Sequence, residues 1–97
     1  MPINAVSVLE ICARPGAEEW LERCLPPFAQ RLRELPGCVA CGVTRSTRLP
    51  RSWVLSGYWN SPEAMVDHFS TVELEDLVRT LGPGVVSIRF GSFRGAG

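Results

Sequence analysis

The segments of this chain that read as β-strands are apolar on both faces. In 52–59, SWVLSGYW, Trp53, Leu55 and Trp59 alternate with Val54 and Tyr58. In 85–93, VVSIRFGSF, Val86, Ile88 and Phe90 alternate with Val85 and Phe93. In 3–12, INAVSVLEIC, Ile3, Ala5, Leu9 and Ile11 share one face, and Val6, Val8 and Cys12 the other. Successive strand side chains point to opposite faces, and a sheet with helices on one side is ordinarily polar on the other. Left wet, a second apolar face would exceed the exposed patch that soluble monomers carry. We therefore expect that face to be covered by a second copy of the chain, in a homodimer. The 97 residues make one domain, 1–97, and a domain this small gains from burying more surface.

Between the strands the period changes. From Ala17 to Leu35, the residues Trp20, Leu21, Cys24, Leu25, Phe28, Leu32 and Leu35 recur at helical spacing. Pro26 and Pro27 predict a kink or a restart within it, because an interior proline removes a hydrogen bond and crowds the preceding turn. Pro36-Gly37 ends the helix, and a second strand is expected over 38–47. A basic loop, RLPRS, leads to the third strand at 52–59. Ser61, Pro62 and Glu63 then supply a capping hydroxyl, a first-turn proline and a first-turn acid, the signature of a helix start. STVE at 70–73 reads as a capping box on Ser70. It opens a further helical segment with Leu74, Leu77, Val78 and Leu81 on one stripe, closed by Gly82-Pro83-Gly84. The last strand follows, and RGAG at the end is expected to be loose. The order βαββαβ is the ferredoxin-like split βαβ arrangement, an α+β fold with an antiparallel four-stranded sheet.

Composition excludes several functions. Ten basic residues balance ten acidic ones, so no electrostatic footprint for nucleic acid is present. All ten are arginine. Without lysine there is no Schiff-base chemistry and no lysine-bearing phosphate loop. No apolar run approaches the roughly 20 residues that span a bilayer, and the N-terminus lacks a basic region of signal-peptide type. The expectation is a cytoplasmic protein with no membrane partner. No dinucleotide or metal-binding motif is present, and no cofactor is expected.

The four cysteines include Cys38 and Cys41 in CVAC. A redox or zinc site would need a helix N-terminus after a strand, or a second pair at similar spacing. Residues three apart in a regular strand point to opposite faces. The expectation is therefore four reduced, hydrophobe-like thiols with Cys38 and Cys41 pointing apart.

Three stretches carry a resemblance: ARPG at 13–16, PGCV at 36–39, and WVLSGYWNSPEAMVDHFSTVEL at 53–74. Together, in the βαββαβ frame, they resemble the antibiotic biosynthesis monooxygenase family of the dimeric α+β barrel superfamily. The resemblance implies two ferredoxin-like subunits whose sheets form a shared barrel, with a pocket between sheet and helices in each. It implies, for one branch, cofactor-independent oxygenation of polyphenols and hydroquinones. This chain departs from the family pattern at Cys41, where an aromatic is common, and at Gly57, where a glutamate is common. A haem-degrading branch uses an asparagine in the first strand and a tryptophan in the helix; the matching positions here are Leu9 and His68.

His68 is the only histidine. In the helix from Ser61 it shares an inward face with Ala64, Met65 and Phe69. It is either a core imidazole anchored to a backbone carbonyl or a base with a pKa near neutrality. Trp59, Asn60, Met65, Phe69 and Cys41 are the expected substrate-binding residues around it, with Asn60 orienting a ring oxygen. Two function classes remain open: a cofactor-independent monooxygenase or related isomerase acting on a small aromatic or hydroxylated molecule, and a non-catalytic ligand-binding barrel. Arg45, Arg48 and Arg51 read as a solvated loop. Arg89 either enters the pocket or pairs with a carboxylate such as Glu10 at the subunit interface.

Overall fold

A computed structural model describes residues 2–95. Strands β1 (Ala5–Ala13), β2 (Cys38–Arg45), β3 (Ser52–Trp59) and β4 (Val85–Arg94) form one sheet in the order β2-β3-β1-β4. Every neighbouring pair is antiparallel. Helices α1 (Glu18–Arg33), α2 (Pro62–His68) and α3 (Val72–Leu81) complete the βαββαβ order, and a 3₁₀ turn at Gly82–Gly84 leads into β4. This is the expected α+β, ferredoxin-like architecture. Among the described residues no helix is long and apolar enough to cross a membrane.

The alternation read from β1 and β3 holds. Ala5, Leu9, Ile11 and Ala13 are buried against the helices, with Trp53, Leu55 and Trp59 beside them. Ile3 falls outside β1 and is exposed. Helix α1 seats Leu21, Leu25, Phe28, Ala29 and Leu32 on this face. It does not restart at Pro26-Pro27. Both prolines are exposed, as are Glu22 and Arg23, whose carbonyls lose their helical donors there. Glu22 and Arg23 lie on the exposed side of the helix, and the buried stripe continues unbroken.

Two bulges change side-chain directions. In β2 the register shifts between Cys38 and Ala40, so that Cys38 lies opposite Trp59 and Cys41 opposite Gly57. The extra residue, Val39, is exposed. Trp59 and Gly57 are two apart on β3, so Cys38 and Cys41 share the helix-facing side instead of pointing apart. In β4 the register shifts so that Val85 lies opposite Ala13 and Ser87 opposite Cys12. Val85 thereby joins the core, away from Phe93, and Val86 becomes the exposed extra residue. A bulge puts two residues against one on the partner strand and reverses the parity of all that follow.

The other sheet face carries Val6, Val8, Val54, Tyr58 and Phe93, with no helix over it. Glu10 and Arg89 are direct cross-strand neighbours on that face, yet no ion pair joins them among the described residues. Of the closing RGAG, Arg94 belongs to β4, and Gly95 donates its N–H to the Asn4 carbonyl at 2.7 Å. The last two residues lie outside the described ones.

Candidate functional site

Helix α2 exists because its start is well capped. The Ser61 hydroxyl accepts the Ala64 N–H at 3.1 Å, and Pro62 occupies the first turn. Seven residues on, the helix ends at His68. The expected cap on Ser70 is displaced by one residue. Thr71 caps α3 by accepting the Leu74 N–H at 3.4 Å, while its hydroxyl donates to the His68 carbonyl at 2.7 Å. One side chain therefore serves both sides of the α2–α3 junction. Ser70 instead lies in the turn and is exposed.

His68 points inward and is 2% exposed. Its imidazole stacks on the indole of Trp59, with centroids 4.9 Å apart and planes 26° from parallel. The Phe69 ring lies 5.2 Å away, tilted by 41°. Among the described residues, neither Nδ1 nor Nε2 has a hydrogen-bond partner. The carbonyl-anchored core histidine is thus not what the fold builds. Burial pushes the His68 pKa down, and the charge of Glu73 on α3 acts weakly in the opposite direction. A neutral imidazole at pH 7 retains one free lone pair, which is the form a base requires.

Trp59 is fixed from the other side. Its Nε1–H donates to the Ser7 hydroxyl on β1 at 3.0 Å, a bond buried in the core. Ser7 was not singled out in the sequence; the available signal was its parity, on the same face as Ala5 and Leu9. Gly57 permits this bond. A Cβ there would lie 2.8 Å from Ser7 Oγ and 2.9 Å from Trp59 Nε1. The space that a polar side chain would fill is taken by the indole.

Met65 is buried beside Ala5 and Trp59, with Phe69 and Cys38 packed against the same cluster. Cys41 is buried opposite Gly57, and its carbonyl accepts from Arg33 Nε at 2.9 Å. Burial and the neighbouring Cys38 push its thiol up to about 11 against the opposing charge of Arg33, so it stays protonated. Burial also raises Cys38, whose thiol donates to the Ala40 carbonyl at 3.4 Å. Asn60 ties segments together through its backbone. Its N–H donates to the Gly37 carbonyl and its carbonyl accepts from Asn4 Nδ2, each at 2.9 Å. Gly37, at φ 83°, lets Asn60 and Ala64 approach: a Cβ there would lie 2.9 Å from Asn60 Oδ1.

Beside this cluster a groove runs between β4 and the α2–α3 junction. One depression of about 360 Å³ is lined by Phe69, Leu74, Phe90, Gly91 and Ser92. A second, of about 430 Å³, shares Phe69, Leu74 and Phe90 and reaches Val78 and Arg79. Met65 borders a further depression near Ser92 and Arg94. The structure thus gathers His68, Trp59, Met65 and Phe69, and opens the groove at Phe69. Among the described residues, no cluster of three or more potential metal ligands occurs.

The antibiotic biosynthesis monooxygenase family model matches residues 5–80, which include β1, the bulged β2, the aromatic end of β3, His68 and most of α3. The chain belongs to that family. Solved structures agree in fold. A candidate antibiotic biosynthesis monooxygenase from Deinococcus radiodurans superposes with a TM-score of 0.85 at 18% identity, covering 96% of this chain and 93% of that one. A protein from Pseudomonas aeruginosa gives 0.81 at 18% identity over 100% of this chain and 98% of its own. A second candidate monooxygenase, from Nitrosomonas europaea, gives 0.81 at 13% identity over 96% and 99%. No curated protein matches the sequence. Within this antibiotic biosynthesis monooxygenase domain, Cys41 and Gly57 are the two positions at which the sequence is expected to depart from the family pattern. In the fold they face each other across β2 and β3.

Proposed function

We propose that this domain is a cofactor-independent monooxygenase acting on a small, electron-rich phenol or hydroquinone, with His68 as the base. The observation that carries the reading is the chain's one imidazole, buried against Trp59 and Phe69 with both nitrogens unpaired. A buried polar group without a partner is costly, and a phenol hydroxyl donating to that imidazole would relieve the cost.

The chemistry balances without a metal or flavin. The neutral imidazole takes the phenol proton. The phenolate passes one electron to dioxygen, giving a phenoxyl radical and superoxide. These combine at a ring carbon, forming a C–O bond, and the peroxide takes back the proton held by the imidazole. Loss of water, with the ring hydrogen leaving as a proton, breaks the O–O bond and yields the quinone. One oxygen atom of dioxygen enters the product and the other leaves as water. Trp59 backs the imidazole by stacking on it, Met65 supplies an adaptable apolar surface, and burial keeps the base neutral.

The test is oxygen uptake by the purified protein with a panel of hydroquinones and polyphenols, beside His68→Ala. General-base catalysis contributes typically about 100-fold or more. A loss of that order in the variant supports the assignment. Uptake that persists unchanged in the variant overturns it.

The same reading includes a homodimer through the uncovered sheet face, which carries Val6, Val8, Val54 and Phe93. A second reading, a ligand-binding barrel without turnover, is favoured by one observation: the Trp59 indole occupies the space over Gly57. Thermal stabilisation by a hydroquinone, without oxygen uptake, would support it.

A further inference from the structure

We propose that Phe69 is the side chain that decides what reaches His68: its ring closes the floor of the groove along β4, and a planar ligand arrives by taking its place. The inference rests on the reading of His68 as the base. Three observations carry it. Phe69 lines both main depressions of the groove and also packs on the imidazole. It is only half-buried, and it touches both apolar clusters of the fold. It also sits in the break between two helices. There the N–H groups of Phe69, Ser70 and Thr71 bond to the carbonyls of Val66, Asp67 and His68, each three residues back. An apolar ring at such a turn can rotate about its χ1 without breaking a hydrogen bond.

The displaced ring has somewhere to go. The groove continues past it towards Val78 and Arg79, with the exposed Phe90 on the opposite wall. A ligand ring that replaces Phe69 against the imidazole would keep the aromatic contact and add a hydroxyl to an unpaired nitrogen. A molecule without a flat ring would lose the first gain, and one without a hydroxyl the second. Phe69 is therefore a positioning residue that selects for planar, hydroxylated molecules.

The experiment uses the reaction of the intact protein with diethyl pyrocarbonate, read at 240 nm. His68 is the only histidine, so the signal reports one side chain. Wild-type protein is expected to react slowly. Phe69→Ala is expected to react at least ten-fold faster, and Phe69→Leu by an intermediate factor. Phe90→Ala, which widens the groove from its other wall, should stay within two-fold of wild type. Equal rates in wild type and Phe69→Ala, with native circular dichroism, overturn the proposal. So does an acceleration in Phe90→Ala matching that in Phe69→Ala, which would mean general loosening. To separate local gating from unfolding, Thr71→Ala serves as a variant that weakens the same junction and keeps the ring. An acceleration there equal to that of Phe69→Ala overturns the gate. Failure of the oxygenase reading looks different. There, Phe69→Ala exposes His68 to the reagent while no phenol in the panel drives oxygen uptake.

Discussion

The imidazole of His68 stacks on the indole of Trp59 at 4.9 Å, and neither imidazole nitrogen meets an acceptor or donor among the described residues. Burial disfavours the imidazolium and lowers the pKa, against the opposing charge of Glu73. The folded protein therefore binds fewer protons at this site than the unfolded chain, whose histidine titrates near its ordinary value of about 6.5. Stability linked to His68 is complete above that value. It is lost as pH falls from about 6.5 to the depressed folded value. Urea midpoints at pH 7.5 and pH 5.5 should show a clear drop for wild type. The apolar variant His68→Phe, which lacks the titrating imidazole, should fall much less over the same interval. A wild-type midpoint that rises on acidification would contradict the assignment.

Gly57 is expected to resist even the smallest enlargement. A methyl group there overlaps both partners of the Trp59–Ser7 hydrogen bond. Overpacking of this kind costs about 1–3 kcal/mol, and each kcal/mol lowers the melting temperature of a domain this size by about 4–8 °C. The cost of Gly57→Ala should shrink in a Ser7→Ala background, because one of the two obstructing atoms is gone. Strict additivity of the two substitutions would argue against the close approach.

The uncovered sheet face predicts self-association. Val8 lies between Ser56 and Gly91 in the sheet register, and the exposed Phe93 ring leans over Gly91 beside it, so the two form part of one apolar patch. Sedimentation of the wild type should give a dimer mass. Val8→Glu should give a monomer with a lower melting temperature that no longer depends on protein concentration. A wild-type monomer across the micromolar range removes the dimer from the reading.

Thr71 caps one helix and holds the last residue of the other. Thr71→Ala should cost about 0.5–2 kcal/mol, read from urea denaturation. Thr71→Ser keeps the hydroxyl and should recover most of the loss. If Ser70→Ala proves the more damaging substitution, the cap has been placed one residue too late.

The sequence by itself determined the parts that near neighbours encode. The switch between two-residue and 3.6-residue periods gives the βαββαβ order. Ser61 and Pro62 fix where α2 begins, and from that start the spacing turns Met65 and His68 inward. Such patterns are local because a helix or strand repeats its geometry over a few residues. Tertiary structure alone decided the rest. The bulges at Val39 and Val86 exist only against a partner strand, and they brought Cys38 and Cys41 to one face and carried Val85 into the core. The competition between Ser70 and Thr71 was settled because the Thr71 hydroxyl also reaches the carbonyl of His68. The Trp59–Ser7 bond joins residues 52 apart in the chain, and Gly57 matters only because those two meet over it. Periodicity places a side chain on a face. What it meets there depends on the register of a strand elsewhere in the chain, set by the packing of the whole domain.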